Sequence, residues 1–432
     1  MPATWVFLYL FNMKPALSSF DSIVDHFFRH EYGKTVAYLS KVFGAGQIEH
    51  IEDAVQDTLL KATKLWPYQG IPTNPSAWIK KVTKNKVIDL LRKDKKMLRS
   101  DFQDTLQEME TTAEPHMSDE INDDLLRMIF TCCDPINSRE SQIILTLKIL
   151  CGFSKAEIAN TLLKKEDTVA KAYTRAKRRL KSSAKPMIVP MGKALNKRLA
   201  MVLKVIYLLF NEGYSASQGD LLIRKNLCEE AIRLNQIILD HEHCQKSQSY
   251  ALMALMYFHM ARFEARQNKD GELLILEKQD RGLWDQELIN NGSKYFALAA
   301  GSGEVSEYLI QAGMAAIHCW APSYGATDWK ELLKLYDLQM DLQASPIVAL
   351  NRAVAFGKVY GAVAALEEVK KIPISGYLSN YNLYYAIKGE LLLETGEKQN
   401  AISHFKEALK YTRNSAQQQH FTKKINQLEL HS

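Results

Sequence analysis

The sequence predicts an all-α protein built from several helical domains, and three observations support this prediction. Only 20 glycines and 12 prolines occur among the 432 residues, which disfavours a fold of many strands and tight turns. The chain is 47% apolar and 24% charged, a globular composition that excludes a disordered or collagen-like chain. Apolar residues recur at helical spacing in the segments described below, and the length favours two to four domains.

Several classes of function find no support in the sequence. It has no run of about 18 apolar residues that could span a membrane. Six cysteines without a CxxC pair indicate a reducing cytoplasm. There is no nucleophile elbow, P-loop or Rossmann glycine pattern. The segment His241–Cys244 lacks the histidine spacing of a helical zinc site, so we expect no enzyme activity, no cofactor and no metal.

Charge is distributed in blocks along the first part of the chain. Residues 80–99 hold nine basic and two acidic side chains, residues 100–124 hold nine acidic and none basic, and residues 154–185 hold ten basic and three acidic. Two basic segments around an acidic linker indicate modules that bind a polyanion, although either segment alone is as typical of a solvated helix face. We therefore predict four parts: a first module at 14–99, an acidic linker at 100–124, a second module at 125–186 and a helical extension at 187–425.

The first module contains three predicted helices. The first spans Phe20–Phe43, and the second spans Ile51–Trp66 with one apolar stripe at helical spacing. A loop without helix is predicted from Pro67 to Pro75. The third helix is predicted at 76–96. Four of its residues share one face and fit either a buried hydrogen-bond network or contacts with unpaired bases: Trp78, Asn85, Asp89 and Arg92.

The second module has the pattern of a helix-turn-helix. A helix over Ser138–Leu150 is followed by a capping box, Ser154 to Glu157, which opens a short helix to Leu162. After a tight turn, a basic helix runs through Lys181. Its apolar stripe is Val169, Tyr173, Ala176 and Leu180, and its polar face can donate to base edges from Thr168, Lys171 and Arg175 and to phosphates from Lys164, Lys165 and Arg178. The alternative is a helical hairpin with a solvated basic face.

In the extension, the clearest pattern is typical of a tetratricopeptide hairpin. Small residues would let two helices approach closely, and an aromatic ring would fill the space beneath them. The residues of this pattern are Tyr385, Gly389, Leu392, Ala401, Phe405 and Ala408.

These runs together resemble bacterial sigma factors. Glu52–Thr58 with the polar face of the third helix resembles sigma region 2, and Ser154–Ala159 with Thr168–Leu180 resembles region 4. Two such modules without a region-3 domain are the layout of extracytoplasmic-function sigma factors. The remaining runs resemble the subgroup with a tetratricopeptide-like C-terminal extension: Phe130–Cys133, Phe210–Tyr214, Asp280–Asp285 and Ala349–Val354.

The resemblance implies a role for each set of residues. In this family the second helix of region 2 docks on the clamp of core RNA polymerase, which implies that role for Asp53, Gln56, Asp57 and Lys61. Capture and melting of the −10 element are implied for residues 68–74 and for Trp78, Lys80, Lys84, Asn85 and Lys86. Recognition of the −35 element is implied for Lys164, Lys165, Thr168, Lys171, Thr174, Arg175 and Arg178.

We therefore expect a cytoplasmic bacterial sigma factor that binds the clamp and flap regions of core RNA polymerase and promoter DNA, without a membrane partner. The extension, which is nearly neutral in charge, is expected to control activity in cis, through an intramolecular contact with the sigma modules or through the polymerase. One alternative is a stand-alone helix-turn-helix regulator with a helical-repeat sensing or dimerisation domain. Another is a repeat scaffold for partner peptides with an incidental basic N-terminus.

Overall fold

The computed structural model describes residues 17–95, 118–162, 164–183, 186–214, 223–242, 244–268, 274–373, 379–412 and 414–430. Within these ranges the regular elements are α-helices and short 3-10 turns, so the all-α prediction is confirmed. The chain divides into two compact units, Met1–Leu209 with Asp240–Cys244 and Phe210–Leu239 with Gln245–Ser432. No helix of the described residues is both long enough and apolar enough to cross a bilayer.

Three long helices form the first part of the first unit: α1 (Leu17–Phe43), α2 (Ile48–Gln69) and α3 (Pro75–Lys95). Their apolar stripes meet in a core where Leu39, Ile51 and Ile79 are fully buried. Burial of such stripes, rather than local propensity alone, is what holds helices of this length together.

The loop predicted from Pro67 was wrong at its start, because α2 continues through Pro67 to Gln69. A proline removes one backbone donor near the helix end, and the last turn still closes because the Gly70 amide donates to the Trp66 carbonyl at 3.0 Å. Gly70 then adopts a φ of 80°, which ends the helix. Helix α3 begins with Pro75, and the Asn74 side chain accepts the Ala77 amide at 3.1 Å.

Four further helices follow in the first unit: α4 (Ser118–Cys132), α5 (Arg139–Ile149), α6 (Lys155–Thr161) and α7 (Glu166–Ser183). The predicted capping box is confirmed, since Ser154 and Glu157 exchange backbone-to-side-chain hydrogen bonds of 2.7 and 3.1 Å. The acidic segment at 100–117 lies outside the described residues. The rest of the predicted linker, 118–124, forms the first half of α4. It belongs to this helix because the residues that follow, Leu125 and Leu126, are buried in the unit.

Helix α8 (Lys193–Tyr214) crosses the sequence boundary between the units. The second unit continues with ten helices among the described residues: α9 (Lys225–Asp240), α10 (Ser247–Met260), α11 (Gln286–Ala300), α12 (Glu307–Trp320), α13 (Trp329–Leu342), α14 (Pro346–Tyr360), α15 (Ala362–Lys370), α16 (Asn382–Glu394), α17 (Lys398–Tyr411) and α18 (Ser415–Leu430). The close approach predicted between α16 and α17 is confirmed, because a Cβ added at Gly389 would lie 2.8 Å from Phe405 Cε1.

Replacing Gly389 by alanine is therefore expected to destabilise the second unit by about 1–3 kcal/mol, since the added methyl group would force the fully buried Phe405 ring or one of the two helices to shift. Unfolding in urea measures this loss. Gly325→Ala is the matched control, because an added Cβ there meets no atom within 4 Å. Equal midpoints for the two variants would contradict the packing described here.

Candidate nucleic-acid interface

The polar face of α7 is open to solvent as the sequence predicted. Its apolar stripe is buried, with Val169 and Ala176 fully enclosed and Tyr173 only 5% exposed. Because that stripe fixes the rotation of the helix, the opposite face points outward. The predicted DNA-binding residues are all exposed: Lys164 and Lys165 just before α7, and Thr168, Lys171, Thr174, Arg175 and Arg178 along it.

Two of these residues also have partners within the unit. Lys164 Nζ lies 3.1 Å from a carboxylate oxygen of Glu140, and both side chains are partly exposed. The Thr174 hydroxyl donates to the Ala170 carbonyl at 3.0 Å, one turn earlier in the same helix. An exposed ion pair of this kind contributes little to stability and exchanges readily for a phosphate.

The outer face of α2 carries the predicted polymerase-binding residues, and Asp53, Gln56, Asp57 and Lys61 are all exposed. Leu60 lies among them with 54% of its surface exposed. Sequence reasoning missed Leu60, although its i+3 and i+7 spacing from Asp57 and Asp53 was the available signal. Asp57 also forms an ion pair with Lys86 of α3, so two residues with different predicted roles contact each other.

The predicted −10 residues lie along α3 and differ in their surroundings. The Trp78 ring is half-buried and meets Trp66 edge-on at 5.5 Å between centroids. Lys80 Nζ lies 5.8 Å from the centroid of the Tyr38 ring, Lys84 is half-exposed and Asn85 is exposed. Just before this helix, Tyr68 is 90% exposed at the end of α2. From the sequence, Tyr68 was predicted only as one member of the range 68–74.

A buried carboxylate joins α2 to α7, and sequence reasoning missed it. Glu52 is only 3% exposed, and its Oε1 accepts the Tyr32 hydroxyl at 2.9 Å and the Tyr173 hydroxyl. Its Oε2 lies 3.1 Å from Lys177 Nζ. We call these four residues the Glu52 cluster. Burial and the charge of Glu52 raise the pKa of both tyrosines, so the phenols stay protonated as donors.

Other contacts between the first three helices and the helix-turn-helix region reinforce this junction. Arg29 of α1 forms an ion pair of 3.0 Å with Glu157 of α6, and Lys41 forms one of 3.0 Å with the buried Asp124. Gly33 lies against the carbonyl of Leu150, where no side chain would fit. In this structure the two predicted modules therefore pack as one unit, while the basic face of α7 stays exposed.

Comparison with known proteins identifies the first module. Residues 27–97 match sigma-70 region 2, and residues 198–300 match a family of unknown function, DUF6596. The first match covers most of α1 together with α2 and α3, and it supports a sigma-factor-like protein, since sigma-70 region 2 takes part in promoter recognition with core RNA polymerase in transcription initiation.

An uncharacterized protein of Rhizobium meliloti (strain 1021) is 34% identical over 382 residues, which cover 87% of this chain and 89% of the relative. The chain belongs to the same family as that protein, and within this chain a sigma-70 region 2 precedes the match to the family of unknown function. No solved structure matches the chain significantly.

Proposed function

We propose that this protein is a sigma factor of the extracytoplasmic-function type, which acts in the bacterial cytoplasm by directing core RNA polymerase to specific promoters. The two sigma modules are assigned to residues 14–99 and 125–186. The observation that carries the proposal is a sigma-70 region 2 packed in one unit with a short helix, a turn and a longer helix whose basic face is exposed.

In this proposal α7 reads the −35 element from the major groove. Lys171 and Arg175 lie one turn apart on its exposed face, and Thr168 lies one turn earlier. Arginine and lysine donate to the acceptors of guanine in the major groove, which gives base discrimination. Arg178, nearer the end of the helix, is placed for a phosphate, as are Lys164 and Lys165 before it.

The first module has two proposed contacts. The outer face of α2, with Asp53, Gln56, Asp57, Leu60 and Lys61, binds the polymerase clamp, and the exposed Leu60 supplies an apolar centre to that surface. The C-terminal end of α2, together with α3, captures the −10 element. The exposed ring of Tyr68 is suited to stacking on an unpaired base. Lys84 is partly exposed and Asn85 is exposed, so both can contact the DNA backbone.

The packed arrangement of the two modules has to open for both promoter elements to be bound. Elements centred 35 and 10 base pairs upstream of the start are about 85 Å apart along straight DNA, at about 3.4 Å per base pair. The Glu52 cluster holds α2 and α7 in direct contact. We therefore propose that core polymerase separates the modules when it binds α2, one turn from Glu52.

For the extension, we propose control of this activity in cis by a tetratricopeptide-like helical repeat. Its support is the hairpin of α16 and α17, in which Gly389 packs on Phe405 as in such repeats. Removal of residues 187–432 is expected to change promoter occupancy by the polymerase. Unchanged transcription and unchanged occupancy would contradict control in cis.

Footprinting on promoter DNA with and without core RNA polymerase tests the proposed function. Protection of the −35 and −10 elements that depends on polymerase is expected. Equal protection by the protein alone would favour the alternative, a stand-alone helix-turn-helix regulator. A variant with Asp53 and Asp57 both changed to alanine is expected to lose protection, because it lacks two charges of the polymerase-binding face.

The proposed phosphate contacts predict a steep dependence of promoter binding on salt. Replacing Arg178 by glutamine is expected to reduce the slope of log K against log salt by about 1, while leaving the preferred sequence unchanged. Titrations of labelled promoter DNA with the polymerase complex at several salt concentrations measure the slope. Lys197→Gln, which removes one charge from an exposed residue of another helix, α8, is the control. A changed base preference in the Arg178 variant would contradict the assignment to phosphate.

A further inference from the structure

Three arginines of the second unit lie among aromatic rings. Arg281 Cζ is 4.3 Å and Arg262 Cζ is 5.3 Å from the centroid of the Trp284 ring. Arg266 Cζ is 3.9 Å from the centroid of the Tyr214 ring. We call Arg262, Arg266 and Arg281 the arginine cluster. Ring faces attract these cations but do not neutralise them.

The hydrogen-bond partners of the cluster are neutral. Arg281 Nη1 donates to the carbonyls of Ala321, at 2.8 Å, and of His318. Arg266 donates to a backbone carbonyl, and Arg262 to a side-chain amide oxygen at 3.3 Å. Within the described part of the chain, no carboxylate forms an ion pair with any of the three. Among the described residues, the cluster therefore concentrates positive charge that no paired carboxylate compensates.

Carboxylates close to Arg281 in the sequence are committed to backbone donors. Asp280 Oδ1 accepts the Gly282 amide at 2.9 Å, and Asp285 Oδ1 accepts the Leu288 amide at 3.0 Å. The latter caps the first turn of α11, which is a structural role. These neighbours therefore do not explain how the charge of Arg281 is balanced.

Arg352, on α14, shows the usual arrangement in the same unit. Its guanidinium also lies near a ring, 5.4 Å from the centroid of Phe356, but it contacts Asp337 at 2.6 Å and Glu368 at 2.9 Å. A partly buried arginine is stable when such carboxylates pair with it. Among the described residues, the cluster therefore differs from Arg352 in that no carboxylate pairs with its guanidinium groups.

Buried donors without acceptors accompany the cluster. Trp284 is 3% exposed, and its Nε1 has no hydrogen-bond partner; nor does the buried Nη2 of Arg281. A buried donor without an acceptor costs free energy, so such groups in a native fold require an explanation. His318 and His259 lie close enough to the cluster to feel the charges of its arginines. Burial, together with these charges, lowers the pKa of His318 to about 4 and that of His259 to about 3, so neither histidine adds a positive charge at neutral pH.

We propose that the arginine cluster and the Trp284 indole bind a small oxyanion, the phosphate or carboxylate group of a small molecule. Planar guanidinium groups match the paired oxygens of both kinds of anion. Arg266 and Trp284 are more than nine-tenths buried, so only a small group can reach these donors. This site would make the second unit a sensor of an anionic metabolite, and it does not depend on the proposed sigma function.

Titration of the full-length protein with inorganic phosphate and, separately, with malonate tests the proposal and distinguishes the two oxyanions. Calorimetry is expected to show saturable binding of at least one of them. The same anion at ten times its Kd is expected to raise the unfolding temperature by about 3–6 °C relative to sodium chloride of equal ionic strength. Failure of both anions to saturate, with Kd values weaker than about 10 mM, would overturn the proposal without any variant.

Variants locate the binding. Arg281→Gln and Arg262→Gln are each expected to weaken it at least about tenfold, whereas Arg352→Gln, which removes the same charge at a paired site, leaves it unchanged. Arg281→Lys keeps the positive charge but lacks the planar guanidinium group. Its anion affinity is expected to fall between those of wild type and Arg281→Gln. Circular dichroism confirms folding. Equal affinity in wild type and both cluster variants would contradict the assignment of the anion site to the arginine cluster. That result would leave the proposed sigma function untouched, because transcription tests it separately.

Discussion

Replacing Glu52 by alanine is expected to destabilise the first unit by about 3–5 kcal/mol, the cost of breaking a buried ion pair by removing one partner. The variant leaves Lys177, whose side chain is 17% exposed, without its nearest carboxylate. It also removes the common acceptor of the Tyr32 and Tyr173 hydroxyls. Urea unfolding of the full-length protein measures the loss. Hydrogen exchange of α7 peptides is expected to accelerate in the same variant, because α7 loses its link to α2.

Glu49→Ala is the matched control for this prediction. Glu49 lies on the same helix, its carboxylate is 3.7 Å from Lys177 Nζ, and its side chain is 64% exposed. The same charge is removed, but an exposed pair contributes about 0–1 kcal/mol. Equal destabilisation by the two alanine variants, or unchanged exchange of α7 in the Glu52 variant, would contradict the role given to the Glu52 cluster.

Neutralising Lys171 and Arg175 together is expected to reduce polymerase-dependent binding to the −35 element by about 30-fold or more, since each base contact is worth about 1–3 kcal/mol. Both side chains are exposed, so stability should change little. Binding of the polymerase complex to wild-type and altered promoter DNA measures the effect, and base preference at the contacted positions is expected to relax.

The control for this pair is Lys193→Ala with Lys197→Ala on α8. Both are exposed, and the double variant removes the same number of positive charges from the chain. An equal loss of binding in the control would indicate that net charge, rather than the α7 face, determines affinity. Unchanged binding in the α7 variant would exclude this helix as the −35 reader.

Local patterns predicted the local features of this structure. Ser154 and Glu157 predicted a capping box, and the alternation of apolar and basic residues predicted which face of α7 is buried, because both depend on residues within a few turns of each other. Gly389 and Phe405 predicted a close helix pair, since a short loop makes two such helices neighbours. The continuation of α2 through Pro67 was missed because propensity rules describe helix interiors, and this proline lies in the last turn.

Pairings between distant residues could not be predicted. Glu52 and Tyr173 are 121 residues apart, and nothing in either local pattern indicates that they meet. A glutamate on the apolar stripe of α2 was a signal that a buried partner exists, without identifying it. The arginine cluster likewise joins Arg262 and Arg266 with Arg281 from a later turn, so their concentration of charge is visible only once the fold brings them together.

Run-off transcription from a pool of genomic promoter fragments by core RNA polymerase, with and without this protein, is the decisive test of the assignment as a sigma factor. We expect specific transcripts that appear only when the full-length protein is added and that share −35 and −10 sequences upstream. They are expected to disappear when Lys171 and Arg175 are both neutralised. An absence of specific transcripts with the full-length protein and also with residues 1–186 alone would contradict the assignment as a sigma factor.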